Sequence, residues 1–309
     1  MSMFLAAFEA MKAGDAEQLG ELLGQDPGLV KERGTNGNTL LNLAVSLGVR
    51  PVVEMLLEAG AMVNEGNVHG WTPLHQAAYA NQCEIAAMLL ARGADVEMEA
   101  RGAGGTPLIA ALFWGHREVA DLLGQYGVAP RNLRAAAGLG NLELVEECLR
   151  GEAGFAARGF YRPHSGFPDW QPRAERQEVL DEALIWACKS GRTEVLGRLV
   201  EAGARVDADV YRGTALIWAA VGNRVETAEW LIAHGAQVDL KATFGGLTHG
   251  QGVTALHMAA QYGRMEMVKL LLARGADRKI KDDLHHSDAA GWAKFFGQPE
   301  VRDYLNGLD

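Results

Sequence analysis

The chain has 309 residues, of which 48% are hydrophobic and 22% are charged, and its formal net charge at pH 7 is −10. This composition is typical of a folded globular protein and argues against a disordered chain. The negative charge argues against general attraction to DNA or RNA, which requires a basic surface, so we expect no nucleic-acid partner.

The cysteines and the first residues bear on the compartment. Cys83, Cys148 and Cys188 are odd in number and lack metal-ligand spacing, so we expect reduced thiols in a cytoplasmic protein. The N-terminal segment carries an acid and no basic stretch, which is not typical of a signal peptide. No run approaches about 18 apolar residues, so we expect no membrane-spanning segment. The Ala, Gly and Arg usage weakly favours a bacterial source.

One pattern recurs along the chain after an atypical first helix that starts near Phe4. In its clearest copy, Thr254 can cap a helix with a small apolar face, Gly263 turns the chain, and Gly275 ends a second, leucine-rich helix. Such a helix pair cannot bury its apolar face alone and needs similar neighbours. The copies are Thr39-Leu-Leu-Asn-Leu-Ala44, Thr72-Pro-Leu-His-Gln-Ala-Ala78, Thr106-Pro-Leu-Ile-Ala-Ala111, Glu182-Ala-Leu-Ile-Trp-Ala-Cys188, Thr214-Ala-Leu-Ile-Trp-Ala-Ala220 and Thr254-Ala-Leu-His-Met-Ala-Ala260.

A glycine or an asparagine marks the predicted turn inside each pair, because these residues tolerate the left-handed backbone region. The predicted turn residues are Gly14, Gly48, Asn81, Gly115, Gly140, Gly191, Asn223, Gly263 and Gly297. Most neighbouring turns lie about 33 residues apart, which is the period of a stacked helical repeat. Three intervals differ, between residues 115 and 140, 140 and 191, and 223 and 263.

These segments resemble the ankyrin repeat, whose hallmark is Thr-Pro-Leu-His-x-Ala-Ala, a turn, a leucine-rich helix and Gly-Ala-Asp. The resemblance implies an all-α solenoid of helix-turn-helix units with short hairpin fingers. It implies one domain over residues 1–309, with caps at 1–30 and 285–309. Repeats two to five fall at 31–150, an inserted loop at 151–180, and repeats six to eight at 181–284, giving about nine repeats.

The remaining motifs favour structural roles. In the ankyrin family, the histidine at the positions of His75 and His257 hydrogen-bonds a neighbouring finger. The glycine-rich run 101–107 lacks a preceding strand and a Gly-Lys-Ser/Thr ending, so we interpret it as a fingertip rather than a phosphate cradle. His249, His285 and His286 lack partners at metal-ligand spacing. We expect no catalytic site, no metal and no cofactor.

Aromatic residues supply the candidate binding site. Trp186, Trp218 and Trp292 share one position of the first helix, and Trp114, Tyr262 and Phe296 stand one helical turn later. Stacked repeats align equal positions, so these rings are predicted to form a stripe facing the loop at 151–172. The predicted partner-binding residues are Trp114, Tyr161, Arg162, His164, Trp170, Trp186, Tyr211, Arg212, Trp218, Phe244, His249 and Tyr262.

The sequence leaves three functions open. Aromatic and arginine side chains anchor protein partners, so the first hypothesis is a non-catalytic module that binds a protein or peptide through its concave face and fingers. The second is a small-molecule or anionic-ligand pocket formed by the 151–172 loop over the aromatic groove. In the third, the loop plugs the groove and another face binds the partner.

Overall fold

The computed structural model describes residues 2–100, 105–127, 129–155, 175–210, 213–244 and 250–308. Contacts among them group into two compact units, which we name the N-terminal unit (residues 2–127) and the C-terminal unit (residues 129–308). In each unit the helices follow one another in pairs, and the first helix of one pair packs against the first helix of the next. The predicted all-α solenoid of ankyrin type is confirmed in these residues.

The N-terminal unit contains eight α-helices in its described residues and two short 3₁₀ segments, Pro27–Lys31 and Thr35–Gly37. The helices are α1 (Met3–Ala13), α2 (Ala16–Gln25), α3 (Leu40–Leu47), α4 (Arg50–Glu58), α5 (Pro73–Tyr79), α6 (Cys83–Ala91), α7 (Pro107–Trp114) and α8 (Arg117–Leu123). Helices α1, α3, α5 and α7 form one packed row, and α2, α4, α6 and α8 form the second.

The described residues of the C-terminal unit contain ten α-helices, one two-stranded finger and 3₁₀ segments at Glu152–Phe155 and Thr193–Val195. The elements are α9 (Leu133–Leu139), α10 (Leu142–Arg150), α11 (Arg176–Ser190), α12 (Leu196–Glu201), α13 (Ala215–Val221), α14 (Val225–Ala233), β1 (Ala242–Phe244), β2 (Gly250–Val253), α15 (Ala255–Gln261), α16 (Met265–Ala273), α17 (Ala289–Phe295) and α18 (Pro299–Asn306). The first helices α9, α11, α13, α15 and α17 pack consecutively. Their small and aliphatic residues form the core of the unit.

The predicted turn residues all adopt the left-handed conformation. The seven glycines and Asn81 and Asn223 have φ angles from 53° to 74°. A non-glycine side chain other than asparagine pays a steric penalty there, which explains why only these two residue types occupy the turns.

Threonine hydroxyls cap four first helices as the sequence predicts, whereas no such bond forms at Thr254. The hydroxyl of Thr72 accepts the backbone N–H of His75, and the N–H groups of Asn42, Ile109 and Ile217 are capped in the same way by the threonines three residues earlier. The ring of His75 then links two repeats, since its Nε2 donates to the carbonyl of Gly105 at 2.9 Å. His257 makes the same link to Ser287 at 3.1 Å, so the structural role that the resemblance implied for both histidines is confirmed.

A second link follows three turns of the C-terminal unit. The Nε of Arg224 donates to the carbonyl of Lys189, at the end of the preceding first helix, at 3.2 Å. Arg192 and Arg264 bond the equivalent carbonyls of Gly138 and Val221, also at 3.2 Å. The last carbonyls of a helix have no partner within it, so these arginines satisfy groups that would otherwise be orphaned.

Two of the predicted fingers lie partly outside the described residues. The longer finger after α14 is an antiparallel hairpin in which Thr243 pairs with Gln251 and Phe244 with Gly250, while residues 245–249 lie outside the described part. The glycine-rich fingertip at 101–104 also lies outside it, and the N–H of Ala100 donates to Gly105 just beyond.

The predicted inserted loop at 151–180 ends earlier than expected, because α11 already begins at Arg176. Nothing between Glu175 and Ser190 is glycine or proline, and Val179, Leu180, Ala183 and Leu184 continue one buried helix. Residues 156–174 of that loop lie outside the described residues. No described helix combines the length and the apolar character that a bilayer crossing requires.

Candidate functional site

The predicted binding residues divide into those that the structure describes and those that it does not. Five are described: Trp114 in the N-terminal unit, and Trp186, Trp218, Phe244 and Tyr262 in the C-terminal unit. The other seven lie outside the described residues; they are Tyr161, Arg162, His164, Trp170, Tyr211, Arg212 and His249.

Trp186 and Trp218 are buried side chains on the adjacent first helices α11 and α13, with exposed fractions of 1% and 4%. The ring of Trp218 packs against Phe244 on the hairpin finger, with centroids 5.2 Å apart. In the conformation described, these rings belong to the interior of the C-terminal unit. Their participation in binding stays a prediction.

Sequence reasoning missed the cation beside Trp218. The ammonium of Lys189, at the end of α11, lies 3.7 Å from the centroid of the Trp218 ring, and the lysine is almost completely buried. A cation over the face of an indole is attracted by its negative π-surface. Within the described residues, the Trp218 Nε1 and the Ser190 Oγ are buried and have no hydrogen-bond partner. Two buried hydrogen-bond donors therefore lie near this cation: the Trp218 Nε1 belongs to the ring that the ammonium contacts, and the Ser190 Oγ belongs to the residue after Lys189.

Aromatic residues of the N-terminal unit form a second cluster, which is more accessible. Trp114 ends α7 and is half-buried, and its ring makes an edge contact with Tyr79 at the end of α5, with centroids 5.6 Å apart. Tyr79 also contacts the buried Trp71 at 6.2 Å. The turn alignment pairs Trp114 with Ala80, so sequence reasoning passed over Tyr79 by one position.

The last helix pair carries a third cluster, which we name the C-terminal aromatic pocket. A cavity of about 780 Å³ opens there, lined in the described residues by His285, Ser287, Gly291, Trp292, Lys294, Phe295 and Phe296. Trp292 is buried, whereas Phe295 is 83% exposed. The rings form a chain, with centroid distances of 5.7 Å from Trp292 to Phe296 and 5.0 Å from Phe296 to Phe295. Sequence analysis identified Trp292 and Phe296 as part of the stripe and missed Phe295.

Asp282 holds this pocket in shape. Its carboxylate accepts the backbone N–H groups of Leu284, His285 and Ser287 and, at 2.9 Å, the indole Nε1–H of Trp292. Burial by itself raises the pKa of this carboxyl, but the hydrogen bonds outweigh burial and lower the pKa from 3.8 to about 2. The tight turn and the indole at the base of the pocket therefore depend on one ionised side chain.

Burial also shifts the pKa values of three other titratable groups. It lowers the pKa of His257 from the ordinary 6.5, against the opposing effect of the hydrogen bond to Ser287, so the ring is neutral at pH 7. Burial raises the pKa of the Cys188 thiol far above its ordinary value and raises that of Cys148, so both behave as apolar core residues. Within the described ranges, no group of three His, Cys, Asp or Glu side chains could hold a metal ion.

Two family profiles match the chain. One, described as ankyrin repeats in three copies, matches residues 5–100 and 133–242, and one described as ankyrin repeats in many copies matches residues 216–272. Together the matches cover well over half of the sequence. The chain belongs to the ankyrin-repeat family. Ankyrin repeats are general protein-interaction modules, and the number of repeats in this chain stays a prediction.

Similar ankyrin-repeat proteins come from animals and from a bacterium, so the expected bacterial source also stays a prediction. Ankyrin repeat and SAM domain-containing protein 6 of Rattus norvegicus is 40% identical over 95 residues, which is 30% of this chain and 11% of the relative. RelA-associated inhibitor of Mus musculus is 41% identical over 71 residues, or 23% of this chain and 8% of the relative. Protein PhlB of Serratia liquefaciens is 34% identical over 114 residues, or 37% of this chain and 49% of the relative. The chain thus spans less than half the length of these curated relatives.

A substitution at Asp282 tests the role of its carboxylate. Its replacement in Asp282→Asn introduces an amide –NH₂ that faces backbone donors, and at pH 7 we expect the free energy of unfolding to fall by about 2 kcal/mol. Because the folded-state pKa lies below the unfolded value, this stabilisation is complete above about pH 5 and disappears as the pH falls towards about 2. Urea unfolding of both proteins across this pH range measures the effect.

The neighbouring Asp283→Asn is the matched control. Asp283 is exposed and its carboxylate pairs with Lys241 at the surface, so we expect a loss below about 1 kcal/mol. Equal losses in the two variants, or a difference that stays constant down to pH 3, would contradict the role given to Asp282.

Proposed function

We propose that this ankyrin-repeat chain is a non-catalytic recognition module that binds a protein or peptide partner through its first-helix row and its fingers. The observation that carries the proposal is the accessible aromatic residues at the ends of first helices. These are Tyr79 and Trp114 in the N-terminal unit, and Tyr262 and Phe295 in the C-terminal unit. The predicted site residues Tyr161, Arg162, His164, Trp170, Trp186, Tyr211, Arg212, Trp218, Phe244 and His249 remain part of this proposal.

Physical chemistry supports a binding role for such rings. Tyrosine and tryptophan bury a large area with few rotatable bonds, so they give much binding energy for little loss of side-chain entropy. The rings sit at the ends of packed helices, and contacts such as the edge-on pair of Tyr79 and Trp114 restrict their motion further. A surface ordered before binding loses less entropy when a partner docks.

Family membership supports the same class of function. Ankyrin repeats act generally as protein-interaction modules, and one relative is called an inhibitor associated with RelA. The charge of −10 disfavours nucleic acid as the partner, and reduced, partly buried thiols are compatible with a cytoplasmic location. The proposed partner is therefore not a nucleic acid, and the proposed location is the cytoplasm.

The test uses peptides selected by phage display against the intact chain, so that the partner need not be known. For the selected peptides that bind the N-terminal unit, Trp114→Ala should weaken binding of the peptide at least about 10-fold. For those that bind the C-terminal unit, Tyr262→Ala should have an effect of the same size. Fluorescence anisotropy gives the Kd, and circular dichroism checks that each variant is folded.

Tyr126→Ala is the matched control, since Tyr126 is an aromatic residue of 57% exposure that follows a second helix, α8. We expect each peptide to bind this variant with a Kd within about 2-fold of its Kd for the intact chain, because substitutions of surface residues outside an interface usually have small effects. Selected peptides that bind the Trp114→Ala and Tyr262→Ala variants as tightly as the intact chain would refute the proposal.

A second candidate rests on the surroundings of Lys189. We infer that a small anion such as a carboxylate binds beside Trp218, because a buried ammonium lies over its ring while the Trp218 Nε1–H and the Ser190 Oγ lack partners within the described residues. Buried donors without an acceptor are costly, and an anionic ligand would relieve that cost.

Thermal unfolding in citrate, compared with chloride at equal ionic strength, tests the second candidate. Citrate should raise the Tm of the intact chain by several degrees more than that of Lys189→Met, which keeps the stem over the ring and removes the charge. Because citrate also stabilises proteins by exclusion from their surfaces, an equal rise in both proteins would mean that no anion binds there.

A further inference from the structure

The C-terminal aromatic pocket exposes apolar area beside a cavity, and this area is continuous. Phe295 has the largest exposed fraction of any large apolar side chain in the described residues, at 83%. Isolated exposed apolar residues are ordinary on protein surfaces. Here, however, the exposed ring contacts Phe296, which contacts the buried Trp292, so the surface leads from solvent into the cavity.

The base of the pocket is rigid. The Trp292 indole is fixed by its N–H bond to Asp282, and His285 contacts the same indole with ring centroids 6.2 Å apart. Asp282 also fixes the turn from residue 284 to 287 through three backbone N–H groups. An apolar side chain of a partner would therefore enter a cavity whose walls are already in place.

The charges around the pocket favour a negative partner. Of the described side chains that line it, Lys294 is basic, His285 can donate a hydrogen bond, and none is acidic. The nearby carboxylates are engaged within the protein: Asp282 beneath the indole accepts four N–H groups, Asp283 pairs with Lys241 at 2.7 Å, and Asp288 accepts the N–H of Gly291 at the start of α17.

We propose that the C-terminal aromatic pocket binds an acidic linear segment of a partner protein, with one bulky apolar side chain in the cavity and a neighbouring carboxylate on Lys294. This inference deepens the proposed function by assigning it a site and a partner class, and it rests on that function.

Three short peptides of identical length test the chemistry. Their sequences are acetyl-Gly-Glu-Phe-Glu-Gly-amide, the same peptide with Lys in place of both Glu, and the same peptide with Ala in place of Phe. In ¹⁵N NMR titrations, the acidic Phe peptide should shift the indole N–H resonance of Trp292 with a Kd on the order of 1 mM or tighter. The Lys and Ala peptides should each bind at least about 5-fold more weakly.

Two variants assign the contacts to residues. Phe295→Ala should weaken the acidic peptide about 5-fold or more, and folding is not at risk because the side chain is mostly exposed. Lys294→Glu should reverse the preference, so that the Lys peptide binds more tightly than the acidic one. Leu284→Ala removes an exposed apolar side chain that does not line the cavity, and it should leave all three affinities within about 2-fold.

Each alternative result is decisive. No shift at Trp292, or an unchanged charge preference in Lys294→Glu, would overturn the inference. Concentration-dependent dimers in sedimentation velocity that Phe295→Ala abolishes would overturn it in favour of a second copy. If it fails while the selected peptides still depend on Trp114 or Tyr262, the proposed function stands and only this pocket loses its role. If the selected peptides bind Trp114→Ala and Tyr262→Ala as tightly as the intact chain, the proposed function fails separately.

Discussion

At four turns, the side chain that follows the turn connects two neighbouring repeats of the stack. In the C-terminal unit, Arg192, Arg224 and Arg264 reach back across the preceding turn and donate to a carbonyl at the end of the neighbouring first helix. In the N-terminal unit, His116 does the same to the carbonyl of Tyr79 at 2.9 Å. One bond thereby satisfies a helix end and sets the distance between two repeats, because the carbonyl has no partner in its own helix. At Gly140 and Gly191 an added Cβ would lie under 3 Å from the arginine Cδ, so glycine leaves room there for the reaching side chain.

This connection explains where the binding chemistry can lie. Because it aligns the ends of the first helices, residues there recur as neighbours from one repeat to the next, as Tyr79 and Trp114 do. Rings placed earlier in the helix, such as Trp186 and Trp218, are enclosed by the adjacent helices and fingers and add to the core. At the last pair, α17 has no following first helix among the described residues, and Phe295 remains exposed beside a cavity.

Local rules made most of the fold predictable from sequence, whereas the site depended on neighbours. Glycine or asparagine at a left-handed turn and threonine at a helix start are demands of the backbone itself, so the turns at Gly191 and Asn223 and the cap at Thr214 followed from the letters. The early start of α11 was missed because the repeat period, rather than the unbroken helical spacing from Val179 to Leu184, was used to place it. The burial of Trp218, its contact with Lys189 and the bond from the Trp292 indole to Asp282 join side chains from different elements, and no spacing within one segment encodes them.

Two glycine substitutions test the central connection most directly. Gly191 and Gly297 have φ angles of 67° and 70°, but an added Cβ meets the Cδ of Arg224 at 2.9 Å at the first and nothing within 4 Å at the second. Urea unfolding should show a loss of about 1 kcal/mol for Gly297→Ala, from backbone strain alone, and about 2–3 kcal/mol for Gly191→Ala. In an Arg224→Ala background the extra loss at Gly191 should disappear. Equal losses at the two glycines, or an excess at Gly191 that persists without Arg224, would contradict the account.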